Sequence, residues 1–93
     1  MNTSFGIYND EAKKVVLKIY YPMSEIVKEK EITKNQEIIE IDEKTILFTA
    51  TMKGYEEYRT WILGMGACAE VIEPLELKAD ILNQIQSMMN LYK

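Results

Sequence analysis

The chain holds two prolines, and each stands where an extended run gives way to helical spacing. A residue that precedes proline is pushed towards extended backbone, and proline, lacking an N–H, suits the first turn of a helix. Before Pro22 runs Val15-Val16-Leu17-Lys18-Ile19-Tyr20, rich in β-branched residues and of strand length. After it, Met23, Ile26 and Val27 keep helical spacing as far as Glu31. Before Pro74 lies a short apolar run, Ala67 to Ile72. After it comes a long helix, Leu75 to Tyr92, with the apolar stripe Ile81, Leu82, Ile85, Met88, Met89 and Tyr92. Two strand-to-helix switches are thus fixed before anything else is known.

The stretch between the prolines supplies the remaining elements. Glu37 to Ile41 and Thr45 to Thr51 read as strands, and Asp42-Glu43-Lys44 between them is of hairpin-loop length. Gly54 marks a break. Tyr55, Tyr58, Ile62 and Met65 then fall at steps of three and four, which predicts an amphipathic helix over residues 55–65. Gly64-Met65-Gly66 follows a helix and opens a strand, the arrangement of a C-terminal cap and the reverse of a phosphate loop. The order is β-α-β-β-α-β with a final helix. Two interlocking βαβ halves give an α+β fold, a ferredoxin-like split βαββαβ sandwich with an added C-terminal helix. Residues 1–10 read as a lead-in, with Phe5, Ile7 and Tyr8 among polar neighbours and a turn at Asn9-Asp10-Glu11. Residues 11–93 read as the domain.

Strand alternation assigns faces. Val15, Leu17 and Ile19 share one face of the first strand, Ile39 and Ile41 one face of the second, and Ile46, Phe48 and Ala50 one face of the third. These are assigned to the helices. Val16, Tyr20, Ile38 and Leu47 are assigned to the other face, which a two-layer sandwich leaves uncovered unless something docks there. A half-apolar exposed face marks an interface, so these four residues are the candidate docking surface. The expected occupant of this face, or of an edge strand, is a second copy, the final helix or a neighbouring domain.

Composition narrows the chemistry. Lys and Arg number 11 against 15 Asp and Glu, so 11 − 15 gives a net charge of −4, and histidine is absent. An acidic chain repels phosphate backbones on average, which argues against direct DNA or RNA contact. With one cysteine, Cys68, and no histidine, neither a disulfide within the chain nor a zinc site of the usual kind can be built. The commonest general base at neutral pH is missing too, so the reading is that the chain is no enzyme and takes no cofactor. Cys68 reads as a small buried residue and not as a nucleophile. Apolar runs are short and broken by charge, so no membrane span is expected. Cysteine usage fits a cytoplasmic protein.

Several short motifs recur in one order. Gln36-Glu37-Ile38 fits a "Q-x-I" lead into a strand. Trp61, Leu63 and Gly66 fit "W-x-L-x-x-G". Ala69, Val71, Pro74 and Leu77 fit "A-x-V-x-x-P-x-x-L", and a closing helix ends in Tyr92. Taken together, with a start near Phe5-Gly6-Ile7, the chain resembles the C-terminal extension (WCX) domain that follows the WYL barrel in bacterial transcriptional regulators. The Trp-Tyr-Leu signature of the barrel and a basic helix-turn-helix are both missing from the sequence. The resemblance therefore implies a piece of a larger regulator, whose DNA is bound by an N-terminal domain outside this chain. It implies a partner, a WYL barrel of the same or a neighbouring chain, and a homodimer.

The family's extension is thought to help the barrel sense a nucleic-acid or nucleotide ligand, so basic residues are the candidate effector contacts. Arg59 is the only arginine, and its planar guanidinium suits phosphate or carboxylate. The plainer reading is an ion pair with Glu56, Glu57 or another acid. Lys28, Lys30 and Lys34 form the best basic cluster, but Glu25, Glu29, Glu31 and Glu37 interleave with it, as on a solvated mixed-charge face. Trp61 reads as core packing before it reads as a ligand platform. The expected function is regulation or interaction within a transcriptional regulator, through dimerisation or effector sensing. The alternative is a free-standing small-effector module similar to ACT domains, although Tyr21-Pro22 lacks their loop glycine.

Overall fold

The structure, a computed structural model, describes residues 12–93. The lead-in over residues 1–10 and the turn at Asn9-Asp10-Glu11 lie outside the described residues.

The elements follow one another as β1 (Lys13–Tyr20), α1 (Met23–Lys28), β2 (Glu37–Glu40), β3 (Thr45–Met52), α2 (Tyr55–Gly64), a 3-10 turn (Gly66–Cys68), β4 (Ala69–Glu73) and α3 (Leu75–Leu91). The strands form one sheet in the order β2-β3-β1-β4, and every pairing is antiparallel. Among the described residues the fold is α+β, a four-stranded antiparallel sheet with three helices.

Both prolines sit where the sequence places the switches. Pro22 and Pro74 occupy the positions that immediately precede α1 and α3, and both X-Pro bonds are cis. Helix α1 is shorter than its apolar spacing suggests, ending at Lys28 and not at Glu31. The chain beyond it is organised by side chains instead. The Gln36 amide oxygen accepts from the N–H groups of Ile32 (2.6 Å) and Thr33 (3.1 Å), and its nitrogen donates to the Lys30 carbonyl at 2.9 Å. Asn35 closes the end of the sheet. It donates to the Thr51 carbonyl at 3.1 Å and accepts from the Thr51 N–H at 2.7 Å, in the manner of a strand partner beyond Glu37. Buried Ser24 on α1 donates to the Lys44 carbonyl in the β2–β3 hairpin at 3.0 Å.

Gly54 opens α2 with a φ of 77°, in the left-handed region that glycine occupies without strain. Gly66 has a φ of 62°, which ends the helix as the glycine pair predicts. Residues 66–68 then form the 3-10 turn, so β4 starts at Ala69, two residues later than the apolar run implied.

All three helices pack on one face of the sheet. Val15, Leu17, Ile19, Ile46, Phe48, Ala50, Met52 and Val71 project from it to meet Val27 of α1, Tyr58 and Ile62 of α2, and Leu77 and Ile81 of α3. Full burial of side chains such as Leu17, Ile19 and Phe48 contributes about 1.5–3 kcal/mol each, which makes this layer the main source of stability. Trp61 covers Phe48, with ring centroids 5.5 Å apart, and so belongs to the packing. Cys68 is half-buried, its Sγ 3.7 Å from the Tyr21 carbonyl.

One face assignment is corrected. Ile38 was expected on the open face, but it pairs with Phe48 across β2 and β3 and packs against the core. Ile39, which pairs with Leu47, takes the open face instead. In β2 the two isoleucines are adjacent and either could point inwards, so only the pairing register distinguishes them.

Candidate interaction surfaces

Three of the four residues assigned to the open sheet face do share it. Val16, Tyr20 and Leu47 lie on that side through the pairings Val16↔Thr49, Tyr20↔Thr45 and Lys18↔Leu47. Val16 is nevertheless buried, at 8% exposure, and adds little to a contact surface. Ile39 and Ile41, which the sequence reading gives to the helices, are exposed instead, as is Ile72, which that reading left out. Ile72 is the extra residue of a bulge, where Leu17 pairs with Val71 and Val16 with Glu73. The polar part of this face is internally matched. The Tyr20 hydroxyl donates to Glu70 at 2.7 Å, which holds its pKa above the usual value, and Lys18 Nζ stands 5.7 Å from the Tyr20 ring centroid. At the hairpin end, the Lys44 N–H donates to Asp42 at 2.8 Å and lowers the pKa of that carboxyl.

The basic residues do not converge. Arg59 on α2 makes a fork of ion pairs, from Nη1 to Asp80 on α3 at 3.0 Å and from Nη2 to Glu56 at 2.8 Å. Burial opposes its charge, but the hydrogen bond and charge of Asp80 outweigh that and raise its pKa. The Tyr55 hydroxyl also donates to Asp80. Desolvation first, and this carboxylate second, push the Tyr55 pKa well above the usual tyrosine value. Arg59, Tyr55 and Asp80 thus form a clamp between α2 and α3. Asp80 was not foreseen as the partner, because two helices meet there that the sequence separates. Lys28 pairs with Glu25 at 3.1 Å and lies 3.9 Å from Glu40, and its pKa is raised by the first of these. Lys30 and Lys34 are exposed in the chain between α1 and β2. Among the described residues, no group of three or more Cys, Asp or Glu is placed to hold a metal ion, and no helix is long and apolar enough to cross a membrane.

The most apolar surface lies elsewhere. Ile62 and Leu63 of α2, Gly66, Ala67 and Ala69 of the turn and β4, and Ile81, Ile85 and Met88 of α3 line a groove of about 330 Å³. Beyond it α3 continues with Leu82, Met89, Leu91 and Tyr92 all more than half exposed. The sequence shows this stripe clearly, but not that the sheet ends before the helix does.

No curated protein matches the chain. The family profile of the WCX domain matches residues 11–89, a span that takes in the four described strands, α1, α2, most of α3 and the motif positions from Gln36 through Leu77. With that match, the chain belongs to the WCX domain family.

Proposed function

We propose that this chain is a regulatory and interaction domain of a WYL-type bacterial transcriptional regulator. It works beside a WYL barrel, which it helps to dimerise or to sense an effector, while another domain binds DNA. It performs no catalysis of its own and acts in the cytoplasm. Its fold, with the strand order β2-β3-β1-β4 and helices on one side, is read as a ferredoxin-like split βαβ sandwich with α3 added.

The observation that carries this reading is the family match over residues 11–89. The half-apolar sheet face supports it, since Ile39, Leu47 and Ile72 flank a face that no helix among the described residues covers. The clamp supports a protein contact over an anion contact. Two of the three Arg59 nitrogens are already bonded to carboxylates, and the chain carries a net charge of −4.

The test is association with a separately purified WYL barrel from the same gene or its neighbour, followed by calorimetry. Binding that Ile39→Glu with Leu47→Glu abolishes, at unchanged helical content, supports the reading. Absence of binding, or binding insensitive to both changes, refutes docking through this face.

A further inference from the structure

The open face of the sheet is laid out in rows that cross all four strands. One row runs Ile39–Leu47–Lys18–Glu70, and the next runs Glu37–Thr49–Val16–Glu73. In the first row the charges are matched within the chain. Glu70 accepts from the Tyr20 hydroxyl, and Lys18 stands over the Tyr20 ring. In the second row they are not. Glu37 and Glu73 are exposed, and neither has an ion pair or a side-chain hydrogen bond among the described residues. Neighbouring strands lie about 4.8 Å apart, so three spacings set these two carboxylates about 14 Å from each other. Only Thr49 and Val16 stand between them.

The apolar residues of this face stand beside the two carboxylates and not apart from them. Ile39 is two positions from Glu37 on the same side of β2, and Ile72 adjoins Glu73 in the bulge. A partner that covers Ile39, Leu47 and Ile72 therefore takes both carboxylates out of water as well. A carboxylate that loses its water without gaining a cation opposes binding. A purely apolar partner strands both charges, and a phosphate-bearing one repels them.

We propose that Glu37 and Glu73 set the specificity of this face, and that its occupant is a protein surface with an apolar centre flanked by two Lys or Arg side chains that reach the two ends of the row. The proposal rests on the reading of this face as the docking surface for the barrel, and names the chemistry the barrel presents there. The two kinds of residue divide the work. Ile39, Leu47 and Ile72 hold the partner once it has docked. Charges at the border of a contact act mainly on the rate of encounter and on its response to salt, so the part played by Glu37 and Glu73 can be measured apart from that of the apolar residues.

The experiment is stopped-flow association of the 93-residue chain with the separately purified WYL barrel, at low and at high salt. The native chain is compared with Glu37→Lys with Glu73→Lys, with Glu37→Gln with Glu73→Gln, and with Glu29→Lys with Glu57→Lys. Each lysine pair adds 4 to the net charge of −4 and brings it to zero, but Glu29 and Glu57 belong to α1 and α2 on the opposite side of the sheet. All four positions are exposed, so circular dichroism should stay native. At low salt the Glu37 and Glu73 lysine pair is expected to slow association at least about tenfold, the glutamine pair less, and the Glu29 and Glu57 pair hardly at all. At high salt the differences should shrink. Native association rates with the Glu37 and Glu73 lysine pair overturn the proposal. So does equal slowing by the Glu29 and Glu57 pair, which assigns the effect to net charge alone. In both cases, binding that is still lost with Ile39→Glu and Leu47→Glu leaves docking through this face standing. A barrel that does not bind, or that ignores those two changes, overturns the docking reading and this proposal with it.

Discussion

Trp61 lies over Phe48 with ring centroids 5.5 Å apart and planes inclined at 60°. The pair joins α2 to the middle of the sheet, since Phe48 is wholly buried and pairs with Leu17 on one side and Ile38 on the other. Truncation to Phe48→Ala leaves a cavity at the centre of the core and is expected to cost about 3–5 kcal/mol. Small domains have only about 5–15 kcal/mol in total. Urea unfolding followed by the emission of Trp61, the one tryptophan, measures both the loss and the change in ring environment.

The two isoleucines of β2 give opposite expectations. Ile38→Lys forces a charge against the core and is expected to cost about 2 kcal/mol or more. Ile39→Lys, at a site 57% exposed, is expected to stay within about 0.5 kcal/mol of the native chain. Equal effects of the two changes in thermal melts would contradict the register of β2 on β3.

Gln36 binds three backbone groups between α1 and β2. Gln36→Ala should cost about 1–2 kcal/mol, because partly buried donors lose their partner. Amide exchange at Ile32 and Thr33 should speed up more than exchange in β1.

The clamp predicts a limit at high pH. The folded chain holds the Tyr55 proton more tightly than the unfolded chain does, because the hydroxyl is desolvated and bonded to Asp80. A pKa raised in the folded state means a contribution complete below the unfolded value of 10.0 and lost as pH rises above it. Tyr58, also raised, chiefly by burial, acts in the same direction. Denaturant titrations should therefore show stability falling above about pH 10, with a shallower fall in Tyr55→Phe. Identical slopes would show that Tyr55 ionises alike in both states.

The parts of this fold that are local in sequence can be read from it. Pro22, Pro74 and Gly66 each mark a boundary through their own backbone restriction, and the structure places all three at element ends. Alternation picks out Leu17 and Phe48 as core residues without knowledge of the neighbouring strands. Ile38 is missed because two adjacent isoleucines have equal hydrophobicity, and a partner strand decides between them. The bond of Arg59 to Asp80 spans 21 positions, so no local pattern announces it. The α3 stripe is legible as a stripe, but its exposure depends on where the sheet stops.

The rims of the sheet have a consequence of their own. Strand β2, at one edge, is four residues long and exposes Glu37 and Glu40, while β4, at the other, exposes Glu70 and Glu73 around its bulge. Any further strand laid against either rim from another copy brings carboxylate to carboxylate and meets an interrupted ladder. Among the described residues both rims thus oppose growth of the sheet from chain to chain, and so work against the stacking of copies into a fibril.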